Sequence, residues 1–383
     1  MTDVREQLQR AQAGDKEARN YLVQENIEWI GEEIAEKFTS AAADCSKLND
    51  SSAKKDLSIV YTPLFGSGRD FVLDALEKDG FSQVHLVKKQ AGFDGKFPGL
   101  RKPNPEEPEV FRIAEREALE EHADLMIATD PDSDRIGAGV IQDSKAFFFT
   151  GNQIGALLAD FLSRQGSVKG KIMVTTVVTG DLGSRIVTSR GATVIHTLTG
   201  SKFVCEEMNH MEAGEFLLGY EESHGYIGGM HIRDKDGVLA AMLLCEAAAW
   251  HKTQGRTLLD ALEDLYQKYG YYIDEQDSFV FEGAKGAKEM QKIMVRLRSR
   301  RGSVFAPLGK PDKILDYEKG VDELPRSNVL KFFFPNGSWV AVRPSGTEPK
   351  IKFYYCIRGK DQRQAQDLYE AVQTSVEEFL RTF

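Results

Sequence analysis

The sequence predicts an α/β protein: two consecutive three-layer α/β/α domains followed by a smaller α+β C-terminal domain. Three observations predict it. From Asp56 short apolar runs alternate with helical stretches, the alternation begins again near Ala146, and from Tyr272 the apolar runs crowd together and leave only two helices. At 383 residues the chain is longer than one hydrophobic core sustains, so roughly two to four domains are expected.

Residues 1–55 read as a charged helix, Val4 to Phe38, and a polar linker, Ala41 to Lys55, rich in Ser, Asp, Asn and Lys. The first α/β domain spans 56–145. In it Leu57 to Thr62 is a strand, Gly66-Ser67-Gly68 turns the chain, Phe71 to Lys78 is helical, Val84 to Val87 is a strand, Glu106 to Glu121 is helical, and Leu125 to Ala128 is a strand. A second domain, 146–271, carries strands at Ile172 to Val178, Val194 to His196 and Phe216 to Leu218. Its helices are Leu157 to Leu162, Gly183 to Ser189, Gly237 to His251 and Leu258 to Tyr269. The remainder, 272–383, has strands at Asp277 to Phe281, Val329 to Phe334, Ser338 to Arg343 and Lys350 to Ile357, with helices at Ala287 to Arg298 and Gln362 to Leu380.

Composition excludes several classes of protein. Hydrophobic residues make up 41% and charged residues 28% of the chain. No apolar run reaches the ~18 residues of a membrane span, and the N-terminus carries no secretory pattern, so a cytoplasmic location without a membrane partner is expected. A net charge of −10 argues against general nucleic-acid binding, which rests on a basic surface. Cys45, Cys205, Cys245 and Cys356 are far apart in sequence and form no C-x-x-C pair, so neither a disulfide framework nor a zinc site is expected.

The strand Leu125 to Ala128 runs into Thr129-Asp130-Pro131-Asp132-Ser133-Asp134-Arg135. Three carboxylates at alternate positions just past the carboxyl end of a strand lie where α/β domains gather ligands. Packed together without a cation they repel, and one takes up a proton. A hard divalent cation such as Mg²⁺, which keeps open positions for water or phosphate, suits such oxygens. An EF-hand starting at Asp130 needs glycine and glutamate where Arg135 and Ile141 stand. An acidic surface turn is the plain alternative. A sharper rival is an aspartyl-nucleophile phosphohydrolase, but its later G-D-x-x-x-D element has only Gly180-Asp181-Leu-Gly-Ser-Arg185 as a counterpart, which ends in arginine.

Two further loops carry polar chemistry. Gly219-Tyr-Glu221-Glu-Ser223-His-Gly-Tyr226 follows a strand and offers adjacent carboxylates and a hydroxyl to sugar hydroxyls, although alone it reads as a solvated turn. In Arg343-Pro-Ser345-Gly346-Thr347-Glu-Pro-Lys350 the arginine offers a bidentate fork, Ser345 and Thr347 offer hydroxyls, and Gly346 lets backbone N–H groups approach an anion. It reads as a phosphate cradle, or singly as a polar hairpin turn.

Together and in this order, Tyr61-Thr-Pro-Leu-Phe-Gly66, Asn104-Pro-Glu-Glu-Pro108, Thr129 to Arg135 (called here the metal loop), Gly219 to Tyr226 (the sugar loop) and Arg343 to Lys350 (the phosphate loop) resemble the α-D-phosphohexomutase family, its second to fourth domains, from about residue 56 to the end. The resemblance implies an Mg²⁺-dependent intramolecular phosphotransferase that interconverts hexose 1-phosphate and 6-phosphate through a hexose bisphosphate. It implies that Asp130, Asp132 and Asp134 hold Mg²⁺ and that Arg135 lies beside the transferred phosphoryl. Glu221 and Ser223 would grip the sugar, and Arg343, Ser345, Gly346 and Thr347 the other phosphate. Thr199-Gly-Ser-Lys202-Phe203 is similar to a family loop whose lysine faces the reacting centre, where an ammonium shields phosphate charge or moves a proton.

The family's reactive serine, within a T-A-S-H-N-P-like loop, has no counterpart in this sequence. The one Ser-His pair, Ser223-His224, lies inside the sugar loop. A mutase needs a covalent carrier to give and retake its phosphoryl group. The expectation is therefore a piece of a longer mutase, inactive alone, or else a sugar-phosphate-binding protein, or a subunit working with a separate serine-bearing domain.

Overall fold

The computed structural model describes residues 31–212, 214–281, 283–345 and 349–383, so most of the helix expected from Val4 to Phe38 lies outside the described residues. Helices cover Glu32–Ala43 and Ser51–Asp56. The stretch expected to be a polar linker is thus partly helical and packed. Asp50 caps the second helix by accepting from the backbone N–H groups of Ser52 and Ala53. Lys54 is buried because Asp79 and Glu246 match its charge.

The first sheet has the order β2-β1-β3-β4-β5, from β1 (Ser58–Thr62), β2 (Gln83–Leu86), β3 (Leu125–Thr129), β4 (Ile136–Gln142) and β5 (Lys145–Phe149). β1, β2 and β3 are parallel, which requires crossovers, here the helices Gly68–Asp79 and Arg112–Glu121. The second of these starts later than its sequence pattern implies. Pro105 and Pro108 lead the chain through a short 3-10 turn, Pro108–Phe111, before the helix forms.

The antiparallel hairpin of β4 and β5 is absent from the sequence expectation. It turns on Asp143 and Ser144, both with positive φ (51° and 60°), the backbone that a tight two-residue hairpin requires.

A second sheet, β7-β6-β8-β9, is built from β6 (Ile172–Thr176), β7 (Thr193–Thr197), β8 (Phe216–Tyr220) and the short β9 (Tyr226–Ile227), with β6 parallel to both β7 and β8. The helix Gly151–Leu162 beside it opens with a capping box between Thr150 and Gln153. The helix Gly237–Lys252 is apolar around nearly its whole circumference and is buried from Gly237 to Ala249. It lies between the two α/β units, and one continuous hydrophobic cluster contains side chains of both.

The C-terminal sheet is wholly antiparallel, β10-β14-β13-β12-β11, from β10 (Tyr271–Val280), β11 (Lys313–Asp316), β12 (Leu330–Phe333), β13 (Trp339–Pro344) and β14 (Lys350–Gly359). Its faces divide by the two-residue period of a strand. Trp339 and Ala341 join the cluster shared with the α/β units, whereas Val340 and Val342 pack in a separate core with the helices Gly283–Arg300 and Gln362–Leu380. Among the described residues no helix is long and apolar enough to cross a membrane.

Candidate functional site

The metal loop begins where β3 ends. Asp130 is buried, Asp134 is half-buried and Asp132 is exposed, and one carboxylate oxygen from each lies within 4.8 Å of the others. The loop is tied locally: Ser133 N–H donates to Asp130 O at 3.0 Å, and Arg135 N–H donates to the Asp130 carboxylate at 3.0 Å. The Tyr61 and Thr129 hydroxyls share a hydrogen bond of 2.9 Å beneath it.

Burial, with the charges of Asp134 and Asp132 added, pushes the Asp130 carboxyl up to about 7. A convergent all-oxygen set whose members repel one another fits a hard divalent cation. Two protein cations already lean on the cluster. Lys235 pairs with Asp134, and the Arg135 guanidinium lies 3.5 Å from Asp134 and 3.8 Å from Asp130. Arg135 is itself held at 2.5 Å by Glu106, which belongs to the Asn104 to Pro108 segment.

The sugar loop is stitched to this one through the backbone. Arg135 and Gly225 form an antiparallel bridge and Ile136 N–H donates to His224 O at 3.2 Å; beyond the sugar loop, at the start of the helix Gly237–Lys252, Gly237 N–H donates to Ser133 O at 3.0 Å. Glu221 is buried and accepts from Gly200 N–H at 2.7 Å, which brings the Thr199 to Phe203 loop against the sugar loop. Glu222 turns inward and accepts from Thr179 Oγ1 at 3.1 Å, and burial followed by the charge of Glu221 raises its pKa. Lys202 is exposed, its ammonium 4.8 Å from the centre of the Phe203 ring.

On the phosphate loop, Arg343 Nε donates to Tyr354 Oη at 3.1 Å. Its charge reaches Glu222 and opposes that carboxyl's upward shift. Ser345 N–H donates to Lys350 O at 2.8 Å. Gly346 and Thr347 lie outside the described residues. A cavity of about 180 Å³ opens where the three units meet, with Glu106, Glu222, Ser223, His224 and Tyr354 on its wall. The aspartate triad and Lys202 do not line it, so the cavity adjoins the carboxylate cluster without containing it.

Sequence reasoning missed Glu106, Lys235 and His224 as participants. The mixed-charge run Arg233-Asp-Lys-Asp-Gly237 ahead of a helix is a signal for Lys235, while Glu106 and His224 stand inside segments already singled out, Asn104 to Pro108 and Gly219 to Tyr226, without a role having been given to either. The Gly180-Asp181 element that invited the phosphohydrolase reading instead starts the helix Asp181–Ser189 against the C-terminal unit, where Gly180 abuts the Asp274 carboxyl.

A layered α/β pair with an acidic loop at a strand end, joined to an antiparallel third unit, defines a multidomain α/β protein with a candidate metal site. Models of the phosphoglucomutase/phosphomannomutase family match residues 36–142 (alpha/beta/alpha domain II), 150–269 (alpha/beta/alpha domain III) and 280–374 (C-terminal domain), and the chain belongs to that family. It is 36% identical over 335 residues to a phosphoglucomutase of Staphylococcus haemolyticus, covering 83% of this chain and 61% of the relative. It is 34% identical over 320 residues to one of Staphylococcus aureus strain USA300, covering 80% and 57%.

The chain thus spans about three fifths of the length of these curated relatives. Among solved structures it resembles the open form of parafusin, a phosphoglucomutase from Paramecium (TM-score 0.67, 22% identity, 89% of this chain and 61% of that one). It also resembles a phosphoglucomutase/phosphomannomutase family protein from Burkholderia thailandensis (TM-score 0.64, 17% identity, 90% and 64%). At these identities the likeness is one of fold.

Proposed function

We propose that this chain is the metal-, sugar- and phosphate-binding part of a phosphohexomutase, which interconverts hexose 1-phosphate and hexose 6-phosphate through a hexose 1,6-bisphosphate. In this reading Asp130, Asp132 and Asp134 hold Mg²⁺, which when bound neutralises charge on the transferring phosphoryl group. Arg135, steadied by Glu106, offers N–H donors to that group's oxygens, and Lys202 adds a mobile positive charge. Glu221 and Ser223 orient the sugar hydroxyls. Arg343, Ser345, Gly346 and Thr347 hold the phosphate that does not react. Positioning and electrostatic stabilisation are thus supplied by this chain. The phosphoryl-carrying serine comes from outside these 383 residues, on a separate or covalently joined domain, in the cytoplasm.

The observation that carries the reading is the backbone bridge between Arg135 and Gly225, which places the loop of three aspartates beside the loop of Glu221 and Ser223. The test is calorimetric titration of glucose 1-phosphate and mannose 1-phosphate with and without Mg²⁺, repeated with Arg343→Ala. Expected are Mg²⁺-dependent binding, a loss of about tenfold or more in affinity in the variant, and negligible mutase turnover of the chain alone with bisphosphate present. Robust turnover would refute the external serine. Absence of any binding to the wild-type chain would refute the whole reading. A sugar-phosphate-binding protein without catalysis is the second reading, favoured by the missing serine loop, and it requires that no added serine-bearing domain restores turnover.

A further inference from the structure

We propose that His224 is a positioning residue that locks the sugar loop to the metal loop, so that a cation held by the aspartates orders the residues meant to face the sugar. This rests on the assignment of the two loops made above.

His224 lies between Ser223 and Gly225, is 5% exposed, and has a φ of +63°, a conformation uncommon for a residue other than glycine. Its carbonyl accepts from Ile136 N–H at 3.2 Å, and its ring Nδ1 lies 2.9 Å from Ile136 O. A carbonyl oxygen has no proton to give, so Nδ1 carries the hydrogen and donates. Burial lowers the proton affinity of the ring and so favours its neutral form, and the residue lines the cavity. His224 therefore closes a two-bond ring with Ile136 through its own main chain and side chain. Ile136 begins β4, two residues beyond Asp134, and the Arg135–Gly225 bridge is the next rung. Of the hydrogen bonds named above between the two loops, the others run from backbone to backbone, so the Nδ1 bond is the one that substitution can remove.

The two amide side chains separate the functions of the two ring nitrogens. In His224→Asn the amide nitrogen stands one atom from Cγ, where Nδ1 stands, and asparagine tolerates positive φ. In His224→Gln it stands where Nε2 stands, and no donor is left for Ile136 O. The experiment is site-resolved hydrogen exchange on the 383-residue chain with and without Mg²⁺ alone.

In the wild type and His224→Asn, Mg²⁺ is expected to slow exchange about tenfold both in the metal loop and across residues 221–225. In His224→Gln and His224→Ala the slowing should persist in the metal loop and vanish from residues 221–225. The proposal is overturned if Mg²⁺ protects the sugar loop equally in the Gln and Ala variants, if it does not protect that loop in the wild type, or if Asn loses the effect as Gln does. No sugar is present in this experiment, so failure to bind hexose phosphates would count separately, against the proposed function.

Discussion

Glu106 holds Arg135 at 2.5 Å, while the same guanidinium lies 3.5 Å from Asp134 and 3.8 Å from Asp130. The arginine thus stands between a partner carboxylate and a cluster of three others. Released from Glu106, it becomes a better counter-ion for the triad and competes with an incoming metal. In Glu106→Gln, Mg²⁺ affinity is expected to fall about tenfold, as read by titration calorimetry. Unchanged affinity would mean that Arg135 keeps its position without Glu106.

Gly66 supports the metal loop from outside. A Cβ placed there would stand 2.3 Å from the Pro131 Cα and 2.5 Å from its carbonyl oxygen, both backbone atoms of the loop that carries the aspartates. Ser67 N–H also donates to Pro131 O at 2.8 Å. Gly66→Ala should displace Pro131 and weaken Mg²⁺ binding by roughly ten- to hundredfold, the usual consequence of disturbing what orients metal ligands. Circular dichroism should show the fold retained.

At the joint between the second α/β unit and the C-terminal sheet, burial pushes the Asp274 carboxyl up to about 7 from an ordinary 3.8, with Asp181 and Glu275 adding repulsion and Lys331 opposing them. The folded state then binds this proton more tightly than the unfolded chain. The associated stability is full below about pH 3.8 and is lost as the pH rises to about 7. Asp274→Asn should melt with the wild type near pH 4 and above it at pH 8, by a few degrees. A gap independent of pH would assign the effect to packing.

Lys54 Nζ lies 2.6 Å from Asp79 and 2.8 Å from Glu246, with all three side chains nearly inaccessible. Glu246 also accepts from Ser46 Oγ and from the backbone N–H groups of Lys47 and Leu48, which fastens residues 46–54 to the helix Gly237–Lys252. Lys54→Met leaves two buried carboxylates facing each other and should cost about 3–5 kcal/mol in chemical denaturation at pH 8. Burial, with the charge of Glu246, holds Asp79 up to about 6, so the loss should shrink near pH 5 as that carboxyl takes up a proton.

Much of the fold was legible because its signals are local. Apolar runs of strand length and the long apolar helix from Gly237 each report on their own neighbourhood, whereas the Thr150 and Gln153 cap, which starts its helix at Gly151, was passed over and the helix placed only from Leu157. The β4–β5 hairpin was not legible. Gly137 and Gly139 dilute the apolar pattern of β4, and glycine is needed there because Pro105 O and Phe147 O approach too closely for a side chain. The polar stretch before β1 misled for a related reason. Lys54 reads as a surface residue until Asp79 and Glu246, far along the chain, surround it.

The sequence by itself determined the chemistry available: three carboxylates at the end of a strand, paired glutamates beside a serine, and an arginine-led polar turn, each within one short loop. Tertiary structure alone decided which of these groups meet. It set Glu106 on Arg135, Lys235 on Asp134, and His224 on Ile136, pairs separated by 29, 101 and 88 positions. Such contacts follow from how sheets and helices pack, and residues so distant in the chain leave no periodic trace of their pairing.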